Sequence, residues 1–182
     1  MESIIILITC IILIIICIFY CAYRDKREFY VKPNTIAVLS TDNVVYNKTL
    51  YSHSSNAYKK RPNENVNVFD IESKYNYLWT DILTSDKKSK NVQIEYSYAY
   101  DLTHFIDTIE NYGLSSHKII KKLEENISSI VKFVTLQNDL SIFYDYTKMD
   151  NCIDNIQSRL ETYLLKKQMF IDVHIRSISL VG

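Results

Sequence analysis

Residues 4–23 read IIILITCIILIIICIFYCAY, an apolar run without a single charge. Nothing else in the chain constrains its fold as strongly. If helical, a run of about twenty residues at roughly 1.5 Å rise each covers the ~30 Å hydrocarbon core of a bilayer. The sequence therefore predicts an N-terminal transmembrane helix, with Ile4, Ile12, Leu13, Ile16, Phe19, Tyr20 and Tyr23 as anchor residues. Tyr20 and Tyr23 fall where an interfacial aromatic belt forms, and Arg24, Lys26 and Arg27 follow as a basic flank. A cleaved signal peptide fits less well. The start, Met-Glu-Ser, is not basic, the apolar run is long, and Cys21-Ala22-Tyr23 makes a poor cleavage site. By the positive-inside rule the flank places the remaining domain in the cytoplasm and the N-terminus outside, in a single-pass membrane protein.

With residues 1–28 assigned to anchor and flank, residues 29–182 suffice for one ordinary domain. The 21 Lys+Arg balance 21 Asp+Glu, which argues against nucleic-acid binding, since that normally leaves a basic footprint. Two Gly and two Pro leave little material for flexible linkers or phosphate-cradling glycine loops. Cys10, Cys17 and Cys21 lie in the apolar run and Cys152 stands apart, so no intradomain disulfide or CxxC metal cluster is encoded.

The first half of the domain carries β signals. Thr35–Leu39 and Val44–Tyr46 flank the turn residues Ser40-Thr41-Asp42-Asn43, which predicts a hairpin. His53–Asn65 reads as a loop, Val66–Ile71 and Tyr77–Leu83 as strands, and Lys87–Lys90 as a loop tip. In Val92–Tyr100, Val92, Ile94, Tyr96, Tyr98 and Tyr100 alternate with polar or small residues, the period of a half-buried strand. The second half turns helical. Thr103 is placed to cap Phe105–Asn111 and Gly113 to stop it. Ser115 or Ser116 starts a helix whose stripe is Ile119, Ile120, Leu123, Ile127, Ile130, Val131 and Val134. A further helix runs from about Asp150 to Gln168, and Ile171, Val173 and Ile175 open a closing strand. Strands followed by helices predict an α+β fold with the late helices packed on the sheet.

This order resembles the stomatin/prohibitin/flotillin domain, also called SPFH or band 7. Three segments carry the resemblance: Val31-Lys32-Pro33 leading to Val38, Thr84-Ser85-Asp86 ahead of the alternating strand, and Phe170–Ile178 as the closing strand. Asn34 and Phe170 stand where the family commonly has glycine, and the family's usual C-terminal coiled coil has no counterpart after Leu180. The resemblance covers about Phe29–Leu180. It implies a membrane-anchored, non-enzymatic scaffold that self-associates and organises or recruits other membrane proteins, with the lipid bilayer and further copies of itself as partners. A viral or phage accessory protein for assembly, entry or exclusion, binding one heterologous partner, is the alternative.

No catalytic constellation emerges. His53, His104, His117 and His174 show no paired spacing, and GxSxG, Walker A and GxGxxG are absent. Cys152 reads as a buried small hydrophobe, Asp70 and Glu72 as a solvated strand face, Asp86 as a turn residue and Trp79 as core or near-bilayer. The expectation is no enzyme, no cofactor, no metal, no nucleic acid and no small-molecule substrate.

Overall fold

The computed structural model describes the backbone of residues 2–25, 27–42 and 44–181, and the side chains of residues 9–23, 27–42, 44–45 and 49–181. The chain divides into two compact units, Met1–Val68 and Phe69–Gly182.

Unit 1 opens with helix α1 (Glu2–Asp25), followed by the short strand β1 (Glu28–Phe29). Strands β2 (Thr35–Thr41) and β3 (Val44–Ser52) then pair antiparallel, from Thr41 opposite Val44 to Ile36 opposite Ser52. Asp42 turns the chain at φ 50, the left-handed geometry that Asn and Asp tolerate in a tight hairpin. The expected hairpin is therefore present, and its second strand runs six residues beyond Tyr46. Strand β4 (Tyr58–Lys59) pairs with β1 inside the stretch expected to be loop, and β5 (Asn65–Asp70) lies on the far side of β2 from β3.

The transmembrane anchor expected over Ile4–Tyr23 needs correction. Among the described residues no helix is long and apolar enough to cross a membrane. The described side chains of α1 run from residue 9 to 23. The single-pass placement, with an outside N-terminus and a cytoplasmic domain, is withdrawn with the anchor.

Unit 2 is a layer of helices on a three-stranded antiparallel sheet in the order β6 (Glu72–Leu83), β7 (Ser89–Tyr100) and β8 (Ile171–Leu180). Between β7 and β8 come α2 (Phe105–Tyr112), α3 (Ser116–Thr135), a 3-10 turn over Leu140–Tyr144, and α4 (Tyr146–Lys166). The alternation in β7 is realised: Val92, Ile94, Tyr96, Tyr98 and Tyr100 are all buried. Against them pack Ile119, Leu123, Ile127, Val131 and Val134 of α3 and Ile156, Leu160 and Leu164 of α4, all buried as the helical stripe predicts. Ile120, Ile130 and Ile153 lie at the edge of these stripes and are only partly covered.

Polar side chains close the ends of these elements. Ser115 caps α3 by accepting from the Lys118 N–H. Asp145 caps α4, which begins four residues earlier than expected. The residue flanking the start of α2 is His104, with no side-chain cap, in place of the expected Thr103. Asp101 organises that turn instead, accepting from the Thr103 N–H and holding His104 Nδ1 at 2.8 Å. Gly113 ends α2 at φ 92, ψ 171, a conformation open only to glycine, and a Cβ there would meet nothing within 4 Å. Gly113→Ala is therefore expected to cost about 1–3 kcal/mol through backbone strain alone. Urea denaturation followed by circular dichroism measures this.

The edge strand β8 is fastened by one side chain. Gln157 of α4 donates to the Val173 carbonyl and accepts from the Ile175 N–H at 3.1 Å. Its amide thus occupies the place that another strand would take on this edge. Gln157→Leu is expected to lose about 1–3 kcal/mol. Faster hydrogen exchange at Ile175 than at Ile94 would be the local signature.

Candidate functional site

Two surfaces gather unusual side chains, one in each unit. In unit 2 the helices cover one face of the sheet and leave the other open. On that open face the edge strand β6 presents Tyr75, Tyr77 and Trp79, exposed by 65, 47 and 61 %. Trp79 is therefore surface and not core. Strand pairing sets Trp79 opposite Gln93 and Tyr77 opposite Glu95.

Two bulges shape this face. On β6, Lys74 and Tyr75 together stand opposite Ser97, because Ser73 pairs with Tyr98 and Asn76 with Tyr96. On β8, Arg176 is the extra residue between Ile175, opposite Tyr96, and Ser177, opposite Glu95. A bulge re-aims the side chain of its unpaired residue. Here the bulged residues of the two edge strands meet above β7, with the Arg176 guanidinium 4.9 Å from the Tyr75 ring centroid. Asn76 supports the β6 bulge by donating to the Ser73 and Tyr96 carbonyls and accepting from the Ser73 hydroxyl. The Tyr77 and Trp79 rings lie 6.5 Å apart. Beside Arg176 a shallow depression of about 460 Å³ includes Glu72, Lys74, Asp172 and His174. Charges of both signs line it.

The chemistry available on this face is contact chemistry. Among the described residues no group of three His, Cys, Asp or Glu side chains could hold a metal ion. His53 Nδ1 lies 2.9 Å from the Val31 carbonyl, His104 is held by Asp101 and stacked on Phe170, and His117 and His174 are exposed. Asp70 and Glu72 are both exposed, and Glu72 lies 3.9 Å from Lys74. Asp86 accepts from the Thr84 hydroxyl and pairs with Lys88 at 3.0 Å, and both contacts hold its carboxyl below the usual carboxylate range. Cys152 is buried, which pushes its thiol up and away from reactivity. On the covered face Tyr96 donates to Glu124 at 3.0 Å, and burial raises its hydroxyl far above the ordinary tyrosine range. The tyrosines of β7 are core, as their alternation suggested, while the exposed aromatics belong to β6.

In unit 1 the described residues expected to serve as anchor and flank lie on α1 and just after it. Ile12, Leu13, Ile16 and Phe19 are exposed on α1. Tyr20 and Tyr23 line a pocket of about 430 Å³, and Arg27 lines it with them. The side chains of Ile4, Arg24 and Lys26 lie outside the described residues. The sequence missed the other wall of this pocket, Lys59-Lys60-Arg61. Its only signal was a run of three cations in a segment read as loop. Comparison with protein-family models gave no match, and no curated protein matched the chain.

Proposed function

We propose that this chain is a non-enzymatic interaction protein that associates with copies of itself and recruits other proteins through the open face of its β6-β7-β8 sheet. The observation that carries this reading is the exposed row Tyr75, Tyr77 and Trp79 with Arg176 seated on Tyr75. A single exposed aromatic needs no explanation. Three on one strand, beside an arginine, are the residue types that dominate binding energy at protein interfaces. The support beneath them is rigid, because β7 is buried on its other face by α3 and α4. The resemblance to the band 7 domain points the same way. Thr84-Ser85-Asp86, the alternating strand, the helices and the closing strand follow one another in unit 2 in that family's order, which supports a scaffold reading.

Sedimentation velocity of the full chain over a range of concentrations tests the proposal. Association is expected, with Trp79→Ala weakening it at least about tenfold, as loss of a hot-spot aromatic does. The same substitution should leave thermal stability within about 0.5 kcal/mol, because the side chain is exposed. Equal association by wild type and Trp79→Ala, or a monomer at every concentration reached, would rule the sheet face out.

A further inference from the structure

We propose that the pocket between α1 and the β1-β4 ladder binds clustered phosphoryl groups, held by Arg27, Lys59, Lys60 and Arg61. The chain as a whole is neutral, yet these four cations line one cavity of about 430 Å³. That volume falls within the usual range for small-molecule sites, about 300–1,000 Å³. Two carboxylates oppose the four cations. Glu28 lines the pocket, and the buried Glu64 accepts from the Arg61 N–H and lies 3.8 Å from Arg61 Nε. The remaining positive charge favours an anion in the cavity.

The cations are held in place by backbone pairing. Glu28 pairs with Lys59 and Phe29 with Tyr58. The Lys60 N–H donates to the Arg27 carbonyl at 2.8 Å, joining the two basic segments directly. Behind them Phe29, Tyr51 and Tyr58 form an aromatic cluster with centroids 4.8–5.6 Å apart. Residues more than thirty positions apart in sequence are thus fixed side by side.

Arg27 supplies an independent observation. Its Nε is buried and has no hydrogen-bond partner among the described residues. A buried donor left unpaired costs about 1–3 kcal/mol, and more for a charged group. Its guanidinium lies 5.0 Å over the Tyr23 ring, a cation–π contact that helps hold it in place. A planar, pre-positioned guanidinium with an unmet donor matches the geometry of phosphate recognition. A favourable interaction with the C-terminal dipole of α1 would account for Arg27 alone. It leaves Lys59, Lys60 and Arg61, which arrive from another segment, unexplained.

Isothermal titration of the full chain with inositol hexakisphosphate, with sodium sulfate as control, tests the site. Saturable binding is expected, weakening steeply between about 50 and 200 mM salt. The triple substitution Lys59→Gln, Lys60→Gln, Arg61→Gln should weaken it at least about tenfold while leaving the circular dichroism spectrum unchanged. Arg27→Lys, which keeps the charge and loses the fork, should give a smaller but measurable loss. A second arm uses phosphatidylcholine vesicles with and without phosphatidylinositol bisphosphate. Preference for the phosphoinositide vesicles, competed away by the hexakisphosphate and abolished in the triple variant, assigns the site to a head group. Binding of the hexakisphosphate without that preference assigns it to a soluble ligand. Binding that the triple variant retains in full, or no saturable binding in either arm, would overturn the proposal.

Discussion

Phe105→Ala should destabilise unit 2 by about 3–5 kcal/mol, the range for truncating a fully buried aromatic. Phe105 is completely buried at the start of α2. Its ring meets Phe69 at 5.1 Å and Tyr100 at 5.0 Å, both edge-on. Phe69 and Tyr100 also meet each other edge-on, at 6.4 Å, and Tyr98 continues the cluster at 5.9 Å from Tyr100. Removing the ring takes away its buried area and two aromatic contacts worth about 0.5–1.5 kcal/mol each. The cavity left behind can collapse only partly, because β7 and α2 are both fixed by backbone hydrogen bonds. A loss of that size is a large part of the 5–15 kcal/mol typical of a whole domain. Urea denaturation should be followed by far-ultraviolet circular dichroism. The only tryptophan, Trp79, is exposed and would report the transition poorly. A loss below about 1 kcal/mol would show that the cluster does not hold α2 to the sheet.

The second large effect is alkaline unfolding. Burial raises the hydroxyls of Tyr96, Tyr98 and Tyr100 above the ordinary tyrosine range, and the neighbouring Glu124 or tyrosine adds to the shift in each case. In the unfolded chain these groups ionise near pH 10. A group whose folded pKa is raised contributes fully below its unfolded pKa and loses that contribution as pH climbs towards the folded value. Stability should therefore be flat through neutrality and fall above about pH 10. Each tyrosine adds a slope of up to about 1.4 kcal/mol per pH unit, so Tyr96 and Tyr100, whose shifts are large, together add about 3, and Tyr98 acts in the same direction. About two pH units of that slope approach the stability of an ordinary domain. The variant Tyr96→Phe, Tyr98→Phe, Tyr100→Phe should keep its stability to a higher pH. Identical alkaline midpoints for wild type and variant, by circular dichroism, would count against these three groups as the cause.

How much of this was legible in the sequence depended on distance along the chain. The alternation of β7, the stripe of α3, the glycine stop at Gly113 and the closing strand all rest on neighbours two to four positions apart, and all are found. The 3-10 turn over Leu140–Tyr144 went unread, because its five residues are too short for a periodic signal. The strand β4 was also missed. Two residues pairing with β1 across about thirty positions leave no local pattern to read.

The same division holds for the candidate sites. Sequence marked Tyr20 and Tyr23 as an aromatic belt and Arg27 as part of a basic flank, but could not place Lys59, Lys60 and Arg61 beside them. It placed Trp79 on a strand without deciding that the strand's outer face is uncovered. The bulges that bring Arg176 onto Tyr75 were equally invisible. Periodicity determines which face of an element is apolar, because side-chain direction repeats with the local backbone geometry. Which elements then meet, and which face stays open, is decided only when distant segments close on one another, and that depends on packing across the whole unit.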